Sequence, residues 1–93
     1  MNLHLVFSSP YKHSALQDCL KVVQKSDAIL LIEDGVFAVS HPEYSDKLNC
    51  HPCYALESDL ESRGINTPNS VAVINYDDFV ELTLQFDKTI SWR

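Results

Sequence analysis

Glycine is nearly absent. Gly35 and Gly64 are the only two in a chain of 93 residues. A phosphate-cradling loop needs several glycines so that backbone N–H groups can approach the anion, and neither a Walker-type loop nor a dinucleotide fingerprint can be assembled from two. The G-x-S-x-G turn that exposes a serine nucleophile is missing as well. Basic residues are also few: 7 Lys plus Arg stand against 13 Asp plus Glu, a formal net charge of −6. No run of cations offsets it, and such a surface repels phosphate backbones, so direct nucleic-acid binding is not expected. Long apolar runs are lacking too. The longest aliphatic one, Ala28-Ile29-Leu30-Leu31-Ile32, falls far short of the roughly 20 residues of a bilayer span. The start, Met1-Asn2-Leu3-His4-Leu5, has no basic cluster ahead of an apolar core and does not read as a secretory leader. Cysteine is sparse and odd in number, Cys19, Cys50 and Cys53. That argues against a disulfide framework and fits free thiols in the cytosol.

What is present is ordinary for a folded chain: 45% hydrophobic and 22% charged residues. The length admits one core, so residues 1–93 are expected to form one domain. Four β-rich runs stand out: Leu3–Phe7, Ala28–Ile32, Cys53–Leu56 and Val71–Ile74. The second and fourth are apolar at every position, the pattern of a strand buried on both faces in a parallel sheet. Between them lie helical patterns. Leu16, Cys19, Leu20 and Val23 follow the spacing of one helix face. Either a Ser14/Gln17 capping box or an earlier Ser9-Pro10 start can open that helix. Ser58–Arg63 reads as a short helix ended by Gly64. Tyr76–Phe86 reads as a longer one, capped by Asn75 or Asp77. Thr89–Trp92 alternates as a last edge strand would. Residues 35–52 show no clear element beyond a helical turn at Val36–Val39, and His41–Pro52 reads as a polar, exposed loop. Strands alternating with helices imply an α/β fold with helices on both sheet faces. The last helix carries surplus apolar surface. Phe79, Leu82 and Phe86 form one stripe, and Tyr76, Val80 and Leu84 form another, which points to contact with a second chain.

Three groups of residues bear on chemistry. Cys50-His51-Pro52-Cys53 has dithiol spacing, but that chemistry needs a helix opening at the first thiol, whereas here an apparent strand begins at Cys53. Two thiols near a strand edge are the plainer reading. The same pair with His41 and His51 is a weak zinc set, since a structural site normally shows two tightly spaced ligand pairs. Cys19 lies on an apolar helix face, where cysteine behaves as a small hydrophobe. A nucleophile there would need exposure and a cationic neighbour, and Lys12, His13 and Lys21 are not clearly placed beside it. His4 reads as a packed or edge histidine. Glu33-Asp34 follows a strand at its carboxyl end, where α/β proteins place their sites, yet a solvated turn before Gly35 explains it equally. By these rules alone no reaction emerges.

Several segments, taken in order, resemble the TusB/DsrH family, the small B-type subunits of the DsrE/DsrF/DsrH-like sulfur-relay proteins. They are Ser9-Pro10 after the first strand, Ile29–Val36 at the strand-to-turn segment, Tyr54-Ala55-Leu56 with Asp59-Leu60 and Arg63-Gly64, Tyr76 with Asp78-Phe79-Val80 and Leu82-Thr83, and Ser91-Trp92. The resemblance implies a three-layer α/β/α sandwich around a mainly parallel sheet of about five strands. It implies a cytoplasmic heterohexamer with TusC-like and TusD-like subunits and no cofactor. In it, persulfide sulfur from a TusA-like donor passes to a TusE-like acceptor, toward 2-thiouridine at the tRNA wobble position. The B-type subunit is expected to lack the main active cysteine. Cys19 falls where DsrH proteins of sulfur oxidisers carry a cysteine, making it the candidate persulfide site if this chain carries sulfur itself. A third reading, a thiol oxidoreductase built on Cys50 and Cys53, is the least favoured.

Overall fold

The computed structural model describes residues 1–67 and 70–93. Five strands, β1 (Asn2–Val6), β2 (Ala28–Leu31), β3 (Cys53–Leu56), β4 (Ala72–Ile74) and β5 (Lys88–Trp92), form one sheet in the order β4-β3-β2-β1-β5. Every pairing is parallel. β2 is central and buried at all four positions, as its unbroken apolar run predicts. Thr89–Trp92 is indeed an edge strand, running beside β1 with Val6 opposite Trp92.

The helices are α1 (Ala15–Val22), α2 (Tyr44–Lys47), α3 (Glu57–Ser62) and α4 (Tyr76–Gln85). Leu16 and Cys19 of α1, Tyr44 of α2 and Leu60 of α3 pack with Val6, Ile29, Leu31 and Ala55 in one core. Phe79, Leu82 and Phe86, from α4 and its C-terminal cap, pack with Leu3, Leu5 and Leu30 in the other. The result is an α/β/α sandwich whose second face is covered by α4.

Three local readings need correction. The run Val71–Ile74 is not a strand buried on both faces. β4 is an edge strand of three residues, with Ala72 and Val73 exposed. An all-apolar run marks burial only when a neighbour covers both faces, and here the sheet ends. The helical turn read at Val36–Val39 is present, within a longer 3-10 segment, but His41–Pro52 is not simply a polar, exposed loop. A 3-10 segment (Glu33–Ser40), α2 and a second 3-10 turn (Leu48–Cys50) follow in succession, and Tyr44 and Leu48 anchor them in the core. A three-residue turn carries no 3.6-residue periodicity to read. Third, α1 begins at Ala15 with no side-chain cap, because the Ser14 hydroxyl is directed to the Asp18 carboxylate instead. Of the two candidate caps for α4, by contrast, one is borne out: Asn75 is the one used. Its side chain accepts the Asp78 N–H at 2.8 Å, and Asp78 accepts the Asn75 N–H in return. This capping box satisfies two otherwise orphaned donors.

Both glycines have a physical reason. Gly64 sits at φ +63°, and the Gly64→Glu61 and Ile65→Leu60 backbone bonds close α3 in a Schellman arrangement. Gly35 lies against the backbone of β1, where a Cβ would collide with the Val6 carbonyl oxygen.

Candidate functional site

Cys19 is on the sheet-facing side of α1 and fully buried. Burial, reinforced by the charge of Asp27, pushes its thiol up to about 12. Cys53 opens β3, is 4% exposed, and is pushed up to about 12 by burial and by Cys19. Neither sulfur is available as a thiolate at neutral pH. Cys50 is exposed at the end of the second 3-10 turn. The two cysteines of the C-x-x-C motif therefore sit in unlike surroundings, one in water and one in the core. The element that follows them is a strand, so no helix N-terminus is there to stabilise a thiolate.

His41 is engaged elsewhere. Its Nδ1 accepts the Glu43 N–H at 3.1 Å, and its ring packs 4.5 Å from Tyr11 and 4.8 Å from Tyr44. Among the described residues no group of three or more His, Cys, Asp or Glu side chains is arranged to hold a metal ion.

At the carboxyl end of β2 the chain turns sharply through Glu33, at φ 52°, a left-handed conformation that costs a non-glycine residue roughly 1–2 kcal/mol. Asp59 of α3 holds the turn by accepting the Glu33 N–H at 2.7 Å. Arg63 binds Asp34 through Nε and Nη2, both at 2.9 Å, and reaches the Asp59 carboxylate at 3.6 Å. The Glu33-Asp34 pair is thus part of a brace between the β2 turn and α3, with Asp34 already neutralised by a cation.

A polar trio runs from Asp27, just before β2, through His4 in mid-β1 to Trp92 at the carboxyl end of β5 and has no sequence signature beyond the apolar setting of His4. His4 and Asp27 are 1% and 2% exposed. His4 Nε2 lies 3.0 Å from Asp27 Oδ2, and the Trp92 indole N–H donates to His4 Nδ1 at 3.0 Å. Asp27 also accepts the Asn2 and Gln24 N–H groups. Burial alone would raise its pKa, but these hydrogen bonds outweigh it and hold the carboxyl at about 2. The trio pins β1 and β5 to the residue that leads into β2.

The remaining feature is the surface of α4. Phe79 and Leu82 pack on the sheet as their periodicity predicts. Tyr76, Val80 and Leu84, on the outer stripe, are 66%, 46% and 80% exposed; Val73, also exposed, pairs with Ala55 of the first core and so lies on the sheet face away from α4. Scattered exposed apolar side chains are normal, but a stripe of three along one helix is the mark of a contact surface.

Comparison with known proteins agrees with this architecture. The family model described as "DsrH like protein" matches residues 8–89. A Protein TusB from Pectobacterium parmentieri is 36% identical, with 97% of this chain and 99% of that protein covered. One from Yersinia enterocolitica is 37% identical with the same coverage. Among solved structures, the crystal structure of the ychN protein from E. coli superposes with a TM-score of 0.76 over 99% of both chains at 17% identity. A solution structure of a Thermotoga maritima protein superposes with a TM-score of 0.67 at 27% identity, over 91% of this chain and 93% of that one.

Proposed function

The chain belongs to the TusB/DsrH family, and from that membership we propose that it is a non-catalytic subunit of a sulfur-relay complex. In this reading it assembles with TusC-like and TusD-like subunits. It helps to form the body through which persulfide sulfur passes from a TusA-like donor to a TusE-like acceptor, in the service of 2-thiouridine formation at the tRNA wobble position. The observation that carries the proposal is the contrast between sealed chemistry and open surface. Cys19, the candidate persulfide site, and Cys53 are buried with raised thiol pKa values, Cys50 being the one exposed thiol, while the outer stripe of α4 exposes Tyr76, Val80 and Leu84. A sulfur carrier needs an accessible, acidified thiol, whereas an assembly subunit needs an apolar face. The acidic net charge of −6 suits protein partners rather than a grip on tRNA.

Co-expression with TusC-like and TusD-like chains, followed by mass measurement of the assembly, tests the proposal. A mixed complex is expected. Sulfur transfer through that complex should survive Cys19→Ser, and a persulfide on Cys19 after exposure to a sulfur-loaded donor would establish the carrier reading instead.

A further inference from the structure

Between α4 and the β3–β4 margin of the sheet runs a groove of about 250 Å³, lined by Tyr54, Ile74, Asp78, Glu81, Leu82 and Gln85. Its position follows from the fold. One helix of ten residues covers the second sheet face, and β4 has no strand on its outer side, so the margin beneath α4 stays open. The four α4 residues in the lining have the i, i+3, i+4, i+7 spacing of one helix face, distinct from the Tyr76, Val80, Leu84 stripe but adjoining it.

The lining has two parts. Tyr54, Ile74 and Leu82 supply apolar walls that belong to the second core or pack on it. Asp78 and Glu81 supply carboxylates. Asp78 gives one oxygen to the α4 cap, while Glu81 is in no ion pair among the described residues, and α4 has no basic residue of its own. The groove falls below the roughly 300–1,000 Å³ of a small-molecule pocket, but it suits a single long side chain. An acidic rim repels phosphate and nucleic acid.

We propose that this groove is the socket for one basic side chain, arginine or lysine, carried by an apolar segment of a partner subunit. The aliphatic stem would lie on Tyr54, Ile74 and Leu82, and the cationic head would reach Glu81 and the free oxygen of Asp78. The same segment would continue over Tyr76, Val80 and Leu84, so a polar anchor and an apolar contact would share one surface. The inference rests on the assembly role proposed above, and the charge of the rim selects the anchor.

The test uses the co-expressed complex and compares wild type with Glu81→Lys, Glu81→Gln and Gln85→Lys. Thermal melts of each isolated chain come first, and the exposed positions of Glu81 and Gln85 predict unchanged melting. Wild type should assemble with an affinity that weakens as salt rises. Glu81→Lys and Gln85→Lys should weaken assembly by about tenfold or more, and Glu81→Gln should flatten the salt dependence. Wild-type assembly with all three variants bound equally well overturns the socket while leaving the subunit role intact. No assembly by wild type overturns both. If a lysine variant melts early, the salt dependence of Glu81→Gln decides alone: an unchanged slope sinks the proposal.

Discussion

The indole N–H of Trp92 points at Nδ1 of His4 from 88 residues away, at 3.0 Å. An indole nitrogen can only donate, so His4 Nδ1 is the acceptor and the ring proton sits on Nε2, directed at Asp27. One hydrogen bond from the C-terminal edge strand thus sets the tautomer of a buried imidazole, and that imidazole in turn satisfies a buried carboxylate. Each member would be costly without the other two, because an unpaired buried polar group loses its hydration with nothing in return.

Asp27 makes this trio measurable in acid. Its folded-state pKa of about 2 lies below the ordinary 3.8. A depressed carboxyl pKa contributes stability that is fully present above the unfolded value and is lost as pH falls through the folded one. Between about pH 5 and pH 2 the wild type should lose about 2 kcal/mol from this group. Asp27→Asn should be less stable at neutral pH by about 1–3 kcal/mol and should lack this part of the acid slope. Urea unfolding of both proteins across the window checks it, and parallel pH profiles would remove Asp27 as the cause.

The two glycines should separate sharply under substitution by alanine. At Gly35, in the 3-10 segment, the new methyl would meet the backbone of Val6 at the end of β1, and a strand paired on both sides cannot yield. At Gly64 nothing lies within 4 Å of the new carbon, so only the positive φ is penalised. Gly64→Ala should cost about 1 kcal/mol. Gly35→Ala should cost about 3 kcal/mol or fail to fold. Equal melting temperatures for the two variants would contradict the geometry.

Much of this architecture was legible because local pattern and global position agree. The run Ala28–Ile32 read as a doubly buried strand, and β2 holds the centre. The Leu16, Cys19, Leu20, Val23 spacing placed the thiol of Cys19 in the core, and there it lies. Val71–Ile74 misled because an apolar run has the same composition whether the fold covers it or leaves it for another chain. Tyr44 and Leu48 carry no helix signal in the sequence because they are single apolar anchors four residues apart in a polar stretch, too little to define a face. The His4, Asp27 and Trp92 trio was unreadable in principle: it joins separations of 23 and 88 residues, and no local rule links such positions.

Thiol labelling distinguishes the three cysteines. In the native protein a colourless-to-coloured disulfide reagent should modify Cys50 quickly and leave Cys19 and Cys53 untouched, since their thiols are buried and pushed up to about 12. Denaturant should expose the other two together. With Cys53 in the core, the Cys50-Cys53 pair should show no dithiol reductase activity. Fast native labelling of Cys19 would mean that α1 opens readily, and the sulfur-carrier reading would gain ground.

The outer stripe of α4 gives the most direct probe of assembly, and it is separable from the core by exposure alone. Leu84 is 80% exposed and Val80 46% exposed. Leu84→Asp therefore removes almost no packing in the isolated chain, and surface substitutions of this kind usually change stability by about 0.5 kcal/mol or less. In a complex that covers α4, the same aspartate would be stripped of water with no cation to meet it among its apolar neighbours Tyr76 and Val80. Burying an unpaired charge costs several kcal/mol, so assembly should weaken by about a hundredfold or more. Leu82→Asp is the contrasting variant. Leu82 is 8% exposed and packs in the second core, so its replacement should lower the melt of the isolated chain before any partner is added. Size exclusion of the mixed subunits, run beside melts of the single chains, separates the two effects. Leu84→Asp assembling as tightly as wild type, with an unchanged melt, would move the interface off α4 altogether, whereas a collapsed melt for Leu84→Asp would mean that the outer stripe already serves the fold of the isolated chain.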